Sequence, residues 1–295
     1  ILFLIFSLLI NLSKPYFVVP TQSVERAKRV AHFVIPQQKY DFIIAGDSRI
    51  GLGTASPLVE SFYPDHDAYV WHTSYAKFDE ASLRHIDRMI NKEHETPVLV
   101  LGLTALSLQN VPNTSLTKSL NSDVDFHWLI LNFPEIALFF ERIPLENITK
   151  KMIGFQDPRM WTFHANGWVE TTWEEKDRDD AAGYRKSYRH RLEKNPVSPS
   201  VVNRLVHWIR KWKQQGIRVY AYRPPASETI LEIEEEHGEY SAEQLENEME
   251  SAGAEWISFP ERPFEYMDGV HLQAKSARKH TKLLMQLIGQ NEVRN

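Results

Sequence analysis

The stretch YDFIIAGDS, residues 40–48, places a short apolar run directly before a glycine, an aspartate and a serine. A short apolar run that is bounded by glycine predicts a buried β-strand, here one that ends at Gly46. In open α/β sheets, ligands bind beyond the carboxyl ends of the strands. We therefore expect Ser48 to lie in a crevice at the edge of a sheet.

The chain beyond this stretch alternates between strand and helix signals, which favours an α/β protein with a mostly parallel sheet. Four further strands are predicted, at residues 68–71, 97–102, 217–222 and 255–259. Amphipathic helices are predicted at residues 80–91, 201–215, 228–252 and 273–288, the third with an interruption near Gly238. We expect a three-layer sandwich around a five-strand sheet.

The regular alternation is lost between about residues 105 and 200, where phenylalanine and tryptophan accumulate. This predicts an aromatic-rich insertion over the sheet, packed mainly as core. Within it, residues 174–191 mix acidic and basic side chains. Such a run is typical of a solvated helix or a mobile loop.

The N-terminal residues 1–12 are almost wholly apolar. A membrane-spanning helix needs about 20 residues, and the apolar core of a signal peptide about 7–15. We expect residues 1–20 to be a membrane anchor or signal segment, 21–39 a stalk, and 40–295 a catalytic domain outside the cytoplasm. No small-x-small cleavage pattern precedes Ser13, which favours an uncleaved anchor. If the segment were cleaved, the protein would be secreted; a buried N-terminal helix is the other alternative.

Composition narrows the possible functions. The 295 residues, 42% of them hydrophobic, suffice for one sizeable core. The net charge is -5 and basic residues form no stripe, so a nucleic-acid partner is not expected. Cysteine is absent, and no close pair of histidines or carboxylates suits a metal, so we predict no cofactor or metal. Covalent catalysis would have to use oxygen or nitrogen.

A serine needs a base to become nucleophilic, and the base needs a third group to orient it. Asp268 and His271 form a D-x-x-H block between the last predicted strand and the last predicted helix. That position returns them to the sheet edge where Ser48 is expected. The block is a weak motif by itself, and Asp47-Ser48 has the alternative interpretation of an ordinary helix N-cap.

Together, the G-D-S and D-x-x-H blocks make the chain similar to the SGNH or GDSL-type hydrolases. The resemblance implies a flavodoxin-like SGNH fold and a catalytic triad of Ser48, Asp268 and His271. It also implies an oxyanion hole formed by Ser48, a backbone group near Lys77 after strand two, and Thr104. Thr104 stands where the family usually has asparagine, and its hydroxyl can donate one hydrogen bond.

The apolar N-terminus and the aromatic insertion look more like the membrane-tethered branch of this superfamily, which includes a D-alanyl transfer protein and polysaccharide acetyltransferases. This resemblance implies ester cleavage or acyl transfer on an acylated glycan or envelope polymer. It also implies a membrane-bound O-acyltransferase as partner. A plain carbohydrate esterase and a non-catalytic scaffold of an envelope assembly complex remain alternatives.

Three residues are candidates for substrate binding. Arg223 ends the fourth predicted strand and suits an anionic substrate, with a structural ion pair as the alternative. Asn166 and Trp168 combine a turn with polar and aromatic groups suited to a sugar, with a packed loop as the alternative.

Overall fold

The computed structural model describes residues 39–72, 77–111, 159–173, 180–260 and 264–294. The predicted anchor, 1–20, and all but the last residue of the predicted stalk, 21–39, lie outside these ranges. Within the ranges, no helix combines the length and the apolar character that crossing a membrane requires.

Among the described residues, five strands form a parallel sheet, and two more form a separate antiparallel hairpin. The sheet order is β2-β1-β3-β6-β7. The strands are β1 (Phe42–Gly46), β2 (Ala68–His72), β3 (Val98–Gly102), β4 (Arg159–Phe163), β5 (Val169–Trp173), β6 (Arg218–Tyr222) and β7 (Glu255–Trp256). The predicted α/β class and five-strand flavodoxin-like sheet are therefore confirmed, although β7 is shorter than predicted.

The helices follow the predicted alternation. Those within the described ranges are α1 (Ser48–Gly53), α2 (Ser56–Phe62), α3 (Glu80–Met89), α4 (Asp180–Lys194), α5 (Pro199–Gln214), α6 (Glu228–His237), α7 (Ala242–Ser251) and α8 (Ala274–Arg294), with a 3-10 turn at Ala105–Leu108. The predicted interruption near Gly238 is confirmed, because α6 ends there. A capping box between Ser241 and Gln244 then starts α7.

Alternate residues of the strands face opposite layers, as the two-residue period of a strand requires. In β1, Ile43 and Ala45 join an apolar cluster that contains residues of α3, α5 and α7. Phe42 and Ile44 join a second cluster, which contains residues of α1, α2 and α8. The sheet is thus covered on both faces, and this explains why its strands are continuous apolar runs.

The described part of the insertion docks onto the sheet. The backbone N–H of Val70 in edge strand β2 donates to the carbonyl of Asn166 over 2.9 Å, in the turn between β4 and β5. Gly167 has φ +92°, and a Cβ there would lie 2.1 Å from the Val70 oxygen. Glycine is therefore required for this close approach.

Helix α4 lies in the run that was expected to be a solvated helix or a mobile loop. Tyr188 and Leu192 are buried in a third cluster with residues of α6. The helix is therefore not fully solvated, because one side of it packs against the domain.

Candidate active site

Ser48 is the first residue of α1, directly beyond the carboxyl end of β1. The N-cap is Asp47, whose carboxylate accepts from the backbone N–H of Arg49 over 2.9 Å. The capping role that the sequence left open therefore belongs to Asp47. Ser48 is partly exposed between buried neighbours, so its hydroxyl is accessible at the sheet edge.

The segment carrying Asp268 and His271 is a tight loop closed by an antiparallel bridge between Tyr266 and Leu272. Gly269 has φ +84°, a left-handed conformation that glycine adopts without strain. One oxygen of Asp268 accepts the backbone N–H groups of Val270 (3.0 Å) and His271 (2.8 Å). The aspartate thus folds the loop that presents the histidine.

Ser48, His271 and Asp268 form one continuous hydrogen-bonded chain. The Ser48 Oγ lies 2.8 Å from His271 Nε2, and His271 Nδ1 lies 2.7 Å from Asp268 Oδ2. If Nδ1 donates its proton to the carboxylate, Nε2 is left as an acceptor for the serine hydroxyl. The fold therefore brings together the three residues that the two sequence blocks singled out, across 223 positions of the chain.

The carboxylate of Asp268 is held in its charged form. Burial by itself raises its pKa, but hydrogen bonds from the His271 ring and from the backbone N–H groups of His271 and Val270 outweigh burial and lower the pKa. A charged Asp268 favours the tautomer in which Nε2 faces Ser48, and it stabilises the imidazolium that forms when that nitrogen takes a proton.

Thr104 does not have the role that the sequence suggested. Its hydroxyl donates to Asp47 Oδ2 over 2.6 Å and accepts from the backbone N–H of Ser107 over 3.1 Å. A hydroxyl has one proton, so in this arrangement none is left for an oxyanion. Thr104 instead supports Asp47, which caps the helix that begins with Ser48.

This correction makes a testable prediction for Thr104→Val. The valine removes the hydroxyl that donates to the buried Asp47 Oδ2 and accepts from the Ser107 N–H, so the free energy of unfolding should fall by about 1–3 kcal/mol. Urea denaturation measures this loss, with Thr104→Ser as the control that keeps the hydroxyl. Turnover should fall much less than the 10²–10³-fold typical of a lost oxyanion donor. A loss of that size at unchanged stability would restore Thr104 to the oxyanion hole.

The Lys77 side chain supports the 3-10 turn. Its Nζ donates to the carbonyl of Leu106 and, over 2.8 Å, to Gln109 Oε1. Burial lowers the pKa of this ammonium group to about 8, against the opposing attraction of Asp47. The oxyanion donor expected here is a backbone N–H near Lys77, and the neighbouring residues 73–76 lie outside the described ranges. It remains a prediction.

Arg223 forms structural ion pairs, which is the alternative to binding an anionic substrate. Its guanidinium donates to Glu234 Oε2 over 2.9 Å and 3.0 Å and pairs with Glu235 over 2.5 Å. The charge is already neutralised by two carboxylates, so the expectation of an anion-binding residue is not supported.

Asn166 and Trp168 also belong to packing rather than to an open binding surface. The Asn166 side chain accepts from Ser56 over 2.5 Å and donates to Glu60 over 2.9 Å. Trp168 is 2% exposed and stacks on His164. A sugar could not reach its ring in this arrangement, so the packed-loop alternative holds for both residues.

Sequence reasoning missed a buried polar network beside Ser48. Arg49 forms an ion pair with Glu234 over 3.0 Å, and both side chains are 2% exposed. The Tyr188 hydroxyl donates to the same carboxylate. From the same helix, α4, Tyr184 meets the His271 ring edge-on at 5.8 Å. No local pattern signals these contacts, because the partners are far apart in sequence.

Comparisons with protein-family models and with curated proteins found no match for this chain. Among the described residues, no group of three or more histidines and carboxylates is arranged to hold a metal ion.

Proposed function

We propose that the protein is a serine esterase or O-acyltransferase that works through an acyl-Ser48 intermediate. The observation that carries this proposal is the hydrogen-bonded chain Ser48–His271–Asp268, with distances of 2.8 Å and 2.7 Å. A nucleophile in contact with a base, and a base oriented by a carboxylate, is the arrangement that acyl transfer requires.

In the proposed reaction, Ser48 Oγ bonds to the ester carbonyl carbon while its proton passes to His271 Nε2. Collapse of the tetrahedral intermediate breaks the bond to the leaving alcohol, which takes that proton. Water or a sugar hydroxyl then attacks the acyl-serine and gives its proton to His271, which passes a proton to Ser48 Oγ as the acyl bond breaks. The backbone N–H of Ser48 donates to no other described residue, so it is available to the oxyanion.

The charges in this part of the molecule favour a substrate without a negative charge at the reacting end. Arg49 and Arg223 are paired with carboxylates of α6. Lys77 donates to two oxygens beside the 3-10 turn. A neutral acyl ester of a glycan or envelope polymer fits this setting, and the apolar N-terminus supports action at a membrane surface. A membrane-bound O-acyltransferase that supplies the acyl group belongs to the same proposal.

The test is covalent labelling of the full chain with a fluorophosphonate, followed by intact-mass and peptide analysis. We expect one adduct, on Ser48, and hydrolysis of p-nitrophenyl acetate that stops as the adduct forms. Adding an oligosaccharide acceptor to the ester assay separates two enzymes: a transferase yields acetylated sugar, whereas a plain esterase yields only acetate. Absence of both labelling and hydrolysis would leave the non-catalytic scaffold as the better interpretation.

A further inference from the structure

Helix α6 contacts both halves of the hydrogen-bonded chain. Near its N-terminus, the backbone N–H of Ser227 donates to the carbonyl of Gly269 over 2.8 Å, and Gly269 lies between Asp268 and His271. Two turns further along, Glu234 pairs with Arg49, the residue that follows Ser48. One helix therefore links the loop of the base to the helix of the nucleophile.

The link through Glu234 is buried and saturated with hydrogen bonds. Its carboxylate accepts from Arg49, Arg223 and Tyr188. Burial raises the pKa of Glu234, but the two guanidinium groups and the tyrosine hydroxyl outweigh burial and lower the pKa below its usual value. The carboxylate therefore stays charged. Buried ion pairs add little net stability compared with apolar residues, although removing one partner is costly. Helix α6 is already packed through Ile230 and Ile233, which lie in an apolar cluster. Its packing therefore does not require a charged side chain at position 234.

The same carboxylate also fixes the helix that touches the imidazole. Tyr188 donates its hydroxyl to Glu234, and Tyr184 lies four residues earlier in α4, on the same side of the helix. Tyr184 meets the His271 ring at an interplanar angle of 76°. The position of α4 against His271 thus depends on Glu234, the same residue that pairs with Arg49.

We infer that Glu234 is a positioning residue, which keeps His271 within hydrogen-bonding distance of Ser48 by tying α6 and α4 to Arg49. This inference rests on the proposed function, since it concerns the rate of the reaction at Ser48. Glu234 touches none of the three reacting side chains. Its effect passes through Arg49 on one side, and through Ser227 and Tyr184 on the other.

The test compares Glu234→Gln with Glu232→Gln, which makes the same change at an exposed position of the same helix. The first variant should lower kcat for p-nitrophenyl acetate and the rate of fluorophosphonate labelling by about 10²-fold, the cost of a displacement of about 1 Å in an active site. KM should stay within about twofold, because no binding contact is lost. The control should keep the wild-type kcat and labelling rate.

A double variant separates positioning from stability. Arg49→Met with Glu234→Met removes both buried charges, so its melting temperature should return towards that of the wild type. Its kcat should stay low, since the tie between α6 and α1 is gone. A wild-type labelling rate in either Glu234→Gln or the double variant would overturn the inference. A wild-type chain that is never labelled would instead overturn the proposed function, so the two failures are distinguishable.

Discussion

Replacing Ser48 by alanine should abolish ester hydrolysis, with a fall in turnover of about 10⁶-fold, the loss found when a serine nucleophile is removed from a triad. The reason is that the oxygen in contact with His271 Nε2, 2.8 Å away, is the atom that forms the acyl bond in the proposed reaction. Fluorophosphonate labelling should disappear with it. Initial rates with p-nitrophenyl acetate and intact-mass analysis measure both effects.

The matched control is Ser61→Ala, which removes an exposed hydroxyl that donates only to the carbonyl of Leu58. This variant should keep its turnover and its adduct. Ser48→Ala should also keep the circular dichroism spectrum of the wild type, because its neighbour Asp47 caps α1. Hydrolysis and labelling that persist in Ser48→Ala would show that the nucleophile is another residue.

Much of the fold was predictable because its signals are local. Each central strand is an apolar run bounded by a polar or turn residue, and β1 ends at Gly46 as predicted. The shortness of β7 was not predictable, because pairing of an edge strand depends on its neighbour and not on its own residues. The buried positions of the otherwise largely solvated helix α4 were not predictable for a related reason: Tyr188 and Leu192 pack against α6, which is distant in sequence.

The candidate site divides in the same way. Ser48 and His271 could be placed at one edge from the order of strands and helices alone. The partners of Thr104, Arg223 and Trp168 could not be predicted from the sequence. A side chain near the active-site edge of the sheet can face the substrate, pack in the core or form an ion pair, and the sequence does not distinguish these. The contact between Arg49 and Glu234 joins residues 185 positions apart without a motif. Such networks are visible only once the chain is folded.

Asp268→Asn should lower turnover by about 10⁴-fold while leaving the nucleophile in place, the size of effect that this change has in serine-protease triads. In the wild type, His271 Nδ1 lies 2.7 Å from a carboxylate oxygen of Asp268. In the variant, the amide group of the asparagine presents a donor to that nitrogen. The imidazole then favours a proton on Nε2, and that nitrogen no longer accepts from Ser48. Turnover of p-nitrophenyl acetate measures the loss. Asp65→Asn, an exposed carboxyl before β2, is the control and should keep its rate.

The same variant should also change how stability depends on pH. In the folded protein, hydrogen bonds to Asp268 lower its pKa despite burial. A group with a lowered pKa stabilises the fold at pH values above its unfolded pKa, about 3.9 for aspartate, and this contribution is lost as pH falls through the folded value. The difference in free energy of unfolding between wild type and Asp268→Asn should therefore shrink as the pH falls below about 4. Urea denaturation at a series of pH values measures it. A difference that stays constant down to pH values where the native protein itself unfolds would mean that the carboxylate is not held by these hydrogen bonds, and the assigned orientation of His271 would then lose its support.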